Sequence, residues 1–422
     1  MRIDISREYA CSLDQADELA HYREDFFHAD DDLIYMDGNS LGRLPLRTLH
    51  CIGQVVKEEW GKELIRSWGL GWYDAPVQVG EKIAKLVGAA PGQVAVSDST
   101  TVNLYKLVMS ALMLRPDRRN IVSDTLNFPS DLYVLQGCTR ILGDKHLIQL
   151  LEPADGLRVD TQAVLDAIDS DTALVTLSHV VFKSGYMYDA KTITEYAHSK
   201  GALVLWDLSH AVGAVPIELD AWGVDFATGC TYKYLNGGPG SPAFLYVRHD
   251  IQEKSLSPIW GWFGRQAPFT FELDYQPADG IQRFLCGTPP VLSLLAMEQG
   301  VDILLEVGIE KLRSKSLSLT GYLIALFDAL LAPLGFTLGT PREAEQRGSH
   351  ISIQHADAYR INLALIKEMN LIPDFREPDH IRLGLTPLYT SFQDVWESVH
   401  RLQRVVIEKH YKRFSETRQV VT

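Results

Sequence analysis

The chain has 422 residues, 46% of them hydrophobic and 22% charged, and a formal net charge of -14. Its length exceeds one simple core and predicts two or three units, and its apolar share excludes a largely disordered chain. The acidic balance, with no Lys/Arg block, argues against a protein that grips a phosphate backbone.

The opening MRIDISREYACSLDQADELA has acidic residues where a signal or transit peptide would need an apolar or Arg-rich stretch. The longest apolar segment, GYLIALFDALLAPLGF (321 to 336), is broken by Asp328 and Pro333 and falls short of a membrane span. Cys11, Cys51, Cys138, Cys230 and Cys286 are scattered without CxxC spacing, which argues against a disulfide framework and a zinc site. The expectation is a soluble, cytoplasmic protein that binds no metal.

From about 90 to 250, short runs rich in Val, Leu and Phe alternate with helical patterns, the pattern of βαβ units around a mostly parallel, covered sheet. SDSTTVNLYKLVMSALML (97 to 114) reads as a helix opened by hydroxyl residues, and DTQAVLDAI (160 to 168) as a second helix. TALVTLSHV (172 to 180) reads as a strand, followed by a helix over 189 to 199. The strands ALVLWDLSH (202 to 210), VDFATGCTYKY (224 to 234) and PAFLYVR (242 to 248) continue the sheet. Beyond CGTPP (286 to 290) a helical tract over 291 to 331 precedes strand candidates HISIQH (350 to 355) and HIRLGL (380 to 385) and a closing helix. That texture predicts a smaller α+β domain. The expected division is a segment 1–55 packing with the small domain, a large domain 56–300, and the small C-terminal domain 301–422.

Ligands of open parallel sheets bind beyond the carboxyl ends of the strands. Three polar groups fall there: Ser178 with His179, Asp207 with His210, and Tyr232 with Lys233. Each has a plain alternative: Asp207 as a turn cap, His210 as a satisfied core histidine, Lys233 as a side chain reaching solvent. Together they suit pyridoxal 5'-phosphate, with the lysine holding the aldehyde and the acid keeping the pyridine nitrogen protonated. The hydroxyls Ser97, Ser99, Thr100 and Thr101 at a helix N-terminus would cradle the phosphate. Phe128, in NFPSD, offers a face for the ring. The glycines of NGGPGS after Lys233 allow a sharp turn beside a ligand, although an ordinary β-turn would use them as well.

DGNSLG (37 to 42), TVNL (101 to 104), FPSD (128 to 131), DLSHAVG (207 to 213), WGVDFATGCTYKYLNGGPG (222 to 240), GWFG (261 to 264), TPP (288 to 290) and IRLGLTPLYTSFQDV (381 to 395) together resemble the kynureninase family. The resemblance runs from about residue 30 to the last helix. It implies the aspartate-aminotransferase fold type: α/β, with a large domain built on a mostly parallel sheet of the seven-stranded type covered by helices, and a smaller α+β domain. It also implies pyridoxal 5'-phosphate as cofactor and hydrolysis of L-kynurenine to anthranilate and L-alanine in tryptophan breakdown. On this resemblance Lys233 carries the cofactor, Asp207 partners its ring nitrogen, and Tyr232 donates or relays a proton. Thr100, Thr101, Phe128, Pro129, Ser130, Asp131, Ser178 and His210 line the cofactor. Tyr232 and Trp262 would contact the phosphate, with Thr288 joining from the neighbouring subunit of a homodimer. Arg382 would take the substrate α-carboxylate, a task suited to a guanidinium that grips with two parallel hydrogen bonds; a surface arginine on an edge strand is the plain alternative. Asn39, Trp68, Gly287 and Thr288 would complete the substrate site. Trp68, Gly287 and Thr288 resemble the bacterial pattern, which favours kynurenine over its 3-hydroxy form.

Two other readings compete. A cysteine desulfurase or aminotransferase of the same fold would require, for the former, a cysteine on a mobile loop, and Cys286 is the nearest candidate. A regulator that senses an amino acid through an inactive pocket is the other.

Overall fold

In a computed structural model that describes residues 4–417, seven short runs pair into one sheet. Its order is Val94–Val96, Phe244–Val247, Phe226–Gly229, Leu203–Asp207, Thr172–Ser178, Asn120–Asp124 and Leu147–Leu151. Only Phe244–Val247 runs against the rest, antiparallel to both its neighbours. The central strands are buried along their whole length because helices cover both faces, so they read as continuous apolar runs without alternation. Leu147–Leu151, at the edge, is largely exposed and carries no such signal.

Helices Thr100–Leu114, Pro129–Ile141, Thr161–Ala167 and Ala190–Ser199 return the chain between strands. Two of them are capped by side chains that the sequence supplies: Ser99 accepts from the Val102 N–H and Asp189 from the Thr192 N–H. The strand expected over 224 to 234 stops at Gly229, so Tyr232 and Lys233 sit in the turn beyond it.

The tract expected as one helix over 291 to 331 divides at Gly308, whose φ of 83° suits glycine, into Val291–Val307 and Ile309–Leu326. The helical tract Ile309–Leu334 is longer than the segment 321 to 336 suggested, and by length and composition alone it could cross a membrane. Its Leu319, Leu323 and Leu326 are instead buried in the second hydrophobic core.

That second core holds a four-stranded antiparallel sheet, Asp374–Arg376, His380–Gly384, His350–Gln354 and Thr337–Leu338, backed by Phe392–Ile407. The last helix begins in a reciprocal capping box between Ser391 and Asp394. Near the N-terminus, Ile34–Tyr35 pairs in parallel with Leu371–Ile372, and Ile34 and Met36 belong to this second core. The chain then crosses to the large sheet's side: the Gly42 N–H donates to the Tyr232 carbonyl at 2.8 Å. A Cβ on Gly42 would lie 2.4 Å from the Lys233 carbonyl oxygen, so only glycine fits.

Candidate active site

Beyond the carboxyl ends of the parallel strands lies a cavity of about 780 Å³. Lys233 and Asp207 both face it, together with Tyr232, His210, Phe128, Ser130 and Asp131. Asp207 ends the strand Leu203–Asp207, and Ser209, two residues on, donates to its Oδ1 from both backbone N–H (2.9 Å) and hydroxyl (2.6 Å). Ser178 Oγ reaches Asp207 Oδ2 at 3.4 Å from the neighbouring strand. These donors fix the carboxylate's orientation. Ser209 was not singled out by sequence, although a serine two residues after a strand-end aspartate is the local pattern that makes this bond.

His210 Nδ1 is 3.3 Å from Lys233 Nζ, while its Nε2 is buried without a partner among the described residues. Burial, and then the Lys233 charge, hold the imidazole well below its ordinary value, so it is neutral. Asp131 is pushed well above the carboxyl range by burial and by Asp207, against the pull of Lys233. Cys230 and burial push the Tyr232 phenol upward, so it keeps its proton. Phe128 flanks the lysine, with its centroid 6.0 Å from Nζ, and meets Phe182 edge to face at 5.2 Å. Ser178 acts through Asp207 rather than from the cavity wall, and Pro129 begins its helix outside the lining. His179, next to Ser178, points to the opposite side of the sheet between Trp206 and Trp222.

Ser99, Thr100 and Thr101 open onto the cavity at the start of their helix, where the first N–H groups lack intrahelical acceptors. This is a cradle for an anion. Ser97 lies behind it, bonded to Asp98. Fully buried Lys106 also binds Asp98 and the Phe284 carbonyl, at 2.7 Å, and so clamps the loop, in which Asp98 has a φ of 52°. This ion pair went unnoticed in the sequence, where Lys106 looks like one polar residue on an apolar helix.

Arg382 is on the opposite wall, 1% exposed. Its Nε donates to Asp374 Oδ1 at 2.7 Å and its Nη2 to Asp374 Oδ2, so the fork expected to be open to a substrate is already closed on a carboxylate. Register explains this, since Asp374 and Arg382 are cross-strand partners. Burial pushes Asp374 up, but Arg382 outweighs it and brings the acid down to about 2. Burial and the neighbouring Asp374 raise Asp37 to about 7. Arg376, also unmarked by sequence, joins the same wall.

Other expected residues lie apart from the cavity of a single chain. Asn39 is wholly buried behind Ser40, against Gly384, with neither amide atom partnered among the described residues. Trp68 packs against Trp72 and Phe263, with centroids 5.8 and 6.1 Å away. Trp262 contacts Phe263 and Phe269. Gly287 and Thr288 are exposed, although Pro290 reaches the cavity rim. Cys286 is buried, with its thiol toward the Ile259 carbonyl, and does not line the cavity.

Residues 312–402 match the model of the kynureninase C-terminal domain. The kynureninase of Pseudomonas fluorescens is 43% identical over 409 residues, 96% of each chain. That of Burkholderia pseudomallei (strain 1106a) is also 43% identical, over 95% of each. Among solved structures, the cysteine desulfurase of Thermococcus onnurineus NA1 superposes with a TM-score of 0.79 at 16% identity, over 92% of this chain and 98% of that one. A C-DES variant with glycine covalently linked to its PLP cofactor gives 0.78 at 17% identity, over 90% and 98%. At such identities these two speak for the fold alone.

Proposed function

The chain belongs to the kynureninase family, enzymes that use pyridoxal 5'-phosphate to hydrolyse a carbon–carbon bond of kynurenine, and from that premise we propose how its own residues do this. The observation that carries the assignment is the convergence of Lys233 and Asp207 on one cavity that also opens on a helix N-terminus. The residues present fit the cofactor: an amine for its aldehyde, an acid held by Ser209 and Ser178 for its ring nitrogen, and free N–H groups at Thr100 and Thr101 for its phosphate. His210 Nε2, buried without a partner among the described residues, awaits a bonding group. Bound there, the cofactor supplies a sink for the electrons left at the substrate's α-carbon.

Lys233 would hold the cofactor's aldehyde and, released from it, would serve through Nζ as the base that takes the substrate's α-proton. Asp207, held by Ser209 and Ser178, would accept a hydrogen bond from the protonated ring nitrogen and so keep the ring able to take up electrons. Phe128 and His210, which both line the cavity, would offer faces against the cofactor ring. Water adds to the side-chain ketone, the Cβ–Cγ bond breaks, and anthranilate leaves. Tyr232, whose phenol keeps its proton, donates or relays one during this sequence. Arg382, closed on Asp374, supplies fixed positive charge and one remaining N–H toward the α-carboxylate. The remaining three-carbon fragment leaves as L-alanine.

Trp68, Gly287, Thr288 and Trp262 join the site across a homodimer. Support comes from the apolar residues exposed around them: Ile65 is 77% exposed, Leu70 70%, Trp260 62% and Phe271 76%. So much apolar surface marks an interface, and a second copy would bring Trp68 toward the aniline ring. The bacterial-type residues at 68, 287 and 288 support a preference for kynurenine over 3-hydroxykynurenine. Ala10, Ile34 and Met36 pack in the core of the small sheet, which supports joining the segment 1–55 to the small domain, whereas Ile303, Leu304, Val307 and Leu312 pack with the large sheet, so the helix after residue 300 still belongs partly to the large domain. The protein acts in cytoplasmic tryptophan breakdown.

The test is direct. The purified protein should show the visible absorbance of a bound cofactor, release fluorescent anthranilate from L-kynurenine, and sediment at twice its chain mass. Sulfide release from cysteine without anthranilate would favour the desulfurase reading instead.

A further inference from the structure

A guanidinium has five N–H donors. Arg382 has committed four: Nε and one Nη2 hydrogen to Asp374, the other Nη2 hydrogen to Ser40 Oγ at 2.9 Å, and one Nη1 hydrogen to the Phe182 carbonyl. One N–H remains, too few for a paired grip on a second carboxylate. Arg376 differs. Its Nη1 donates to the Phe375 carbonyl at 3.0 Å, and its Nη2 meets Asp374 at 2.8 Å and Ser40 Oγ at 3.4 Å. Its Nε–H and second Nη1 hydrogen have no acceptor among the described residues. Both arginines line the same cavity as Lys233, but the Arg376 side chain is 33% exposed whereas Arg382 is 1% exposed. Two guanidiniums around the single carboxylate Asp374 also leave one positive charge over whenever Asp37 is protonated.

We propose that Arg376 is a second cation for the substrate α-carboxylate, supplying the free N–H donors, while Arg382, locked onto Asp374, supplies the fixed charge and its one remaining N–H. The inference rests on the amino-acid hydrolase reading above. It explains why a buried arginine already paired with an acid still leaves the cavity attractive to an anion. It also assigns Asp374 a positioning role, since it orients both guanidiniums at once.

The test compares L-kynurenine with kynuramine, which lacks only the α-carboxylate, in the holoenzyme. Arg376→Gln should raise KM for L-kynurenine about 10- to 100-fold, the range for a lost charged hydrogen bond. Its kcat should stay within about threefold, and the inhibition constant of kynuramine should stay within about twofold. Arg376→Lys should recover part of the loss, because it restores charge without the planar fork. Equal weakening of both ligands, or of neither, would overturn the proposal. Should Arg376→Gln fail to fold, Arg376→Lys decides alone: a KM raised for L-kynurenine without a matching change for kynuramine supports the role, and an unchanged KM overturns it. Failure of the unmodified protein to release anthranilate would overturn the underlying reading; an unselective Arg376 variant in an active enzyme overturns only this inference.

Discussion

Lys233 Nζ stands 3.3 Å from His210 Nδ1, and the imidazole it faces is neutral because burial, then Lys233 itself, hold its proton affinity down. The lysine therefore meets an acceptor rather than a competing cation. Replacing it removes both the covalent handle and the base. Lys233→Ala should lose the visible absorbance of the bound cofactor and about 10³-fold or more of turnover; a variant that retains both would remove Lys233 from the chemistry.

Asp207 is held by three donors from Ser209 and Ser178, so an asparagine there keeps the shape and loses the charge. Asp207→Asn should lower kcat about 10²- to 10⁴-fold while binding of L-kynurenine, followed by spectral titration, changes much less. Equal kcat in the two proteins would mean that the ring nitrogen has another partner.

Asp37, raised to about 7, links substrate binding to pH. The groups facing it are Asp374, Arg382, Arg376, Ser40, Tyr35, Tyr234 and Tyr389, and the three tyrosines are all pushed upward and stay neutral. Below pH 7 the Asp37 carboxyl is uncharged, and the two arginines outnumber the one ionised acid. Above pH 7 it ionises, and the surplus positive charge disappears. KM for L-kynurenine should therefore rise as pH climbs through 7, by at most about tenfold per unit, and Asp37→Asn should flatten the profile. A KM that falls over the same interval would reverse the assigned charge balance.

Lys106→Met should destabilise the protein by about 2–4 kcal/mol in urea unfolding, because it strands Asp98 and the Phe284 carbonyl. The figure sits below that for a sealed pair because the Asp98 side chain is 29% exposed. Adding Asp98→Asn to this variant should restore part of the loss. A double variant that is less stable than the single one would show that the pair does not act as a unit.

The central strands of the large sheet were legible because each is buried on both faces and so spells an unbroken apolar run, as in ALVLWD, while the intervening helices carry caps such as Ser99 and Asp189; the exposed edge strand Leu147–Leu151 spells none. Strand ends then pointed to Asp207 and to Lys233, although the strand before Lys233 stops at Gly229 and leaves the lysine in the turn beyond it. Arg382 was named from the sequence, but its partners Asp374 and Arg376 were not, for a physical reason. Asp374 lies on a three-residue strand, too short to show a period, and its partnership with Arg382 exists only through antiparallel register across a turn. Lys106 was missed because its partner Asp98 adopts a left-handed backbone that folds the loop back over the helix, a geometry no local pattern announces. Trp68 and Thr288 stand outside a single chain's cavity, where a lone sequence gives no register for a second copy.

The segment from Met36 to Gly42 is bonded at both ends: the Gly384 N–H donates to the Met36 carbonyl at 2.6 Å, and the Gly42 N–H to the Tyr232 carbonyl at 2.8 Å. Seven residues thus pin the arginine strand to the lysine turn. Sliding one half past the other would break one of these bonds, and the Gly348 N–H to Gly185 carbonyl bond as well. Whatever tilts the carboxylate-binding wall is felt mechanically at the backbone of the residue beside the reactive amine.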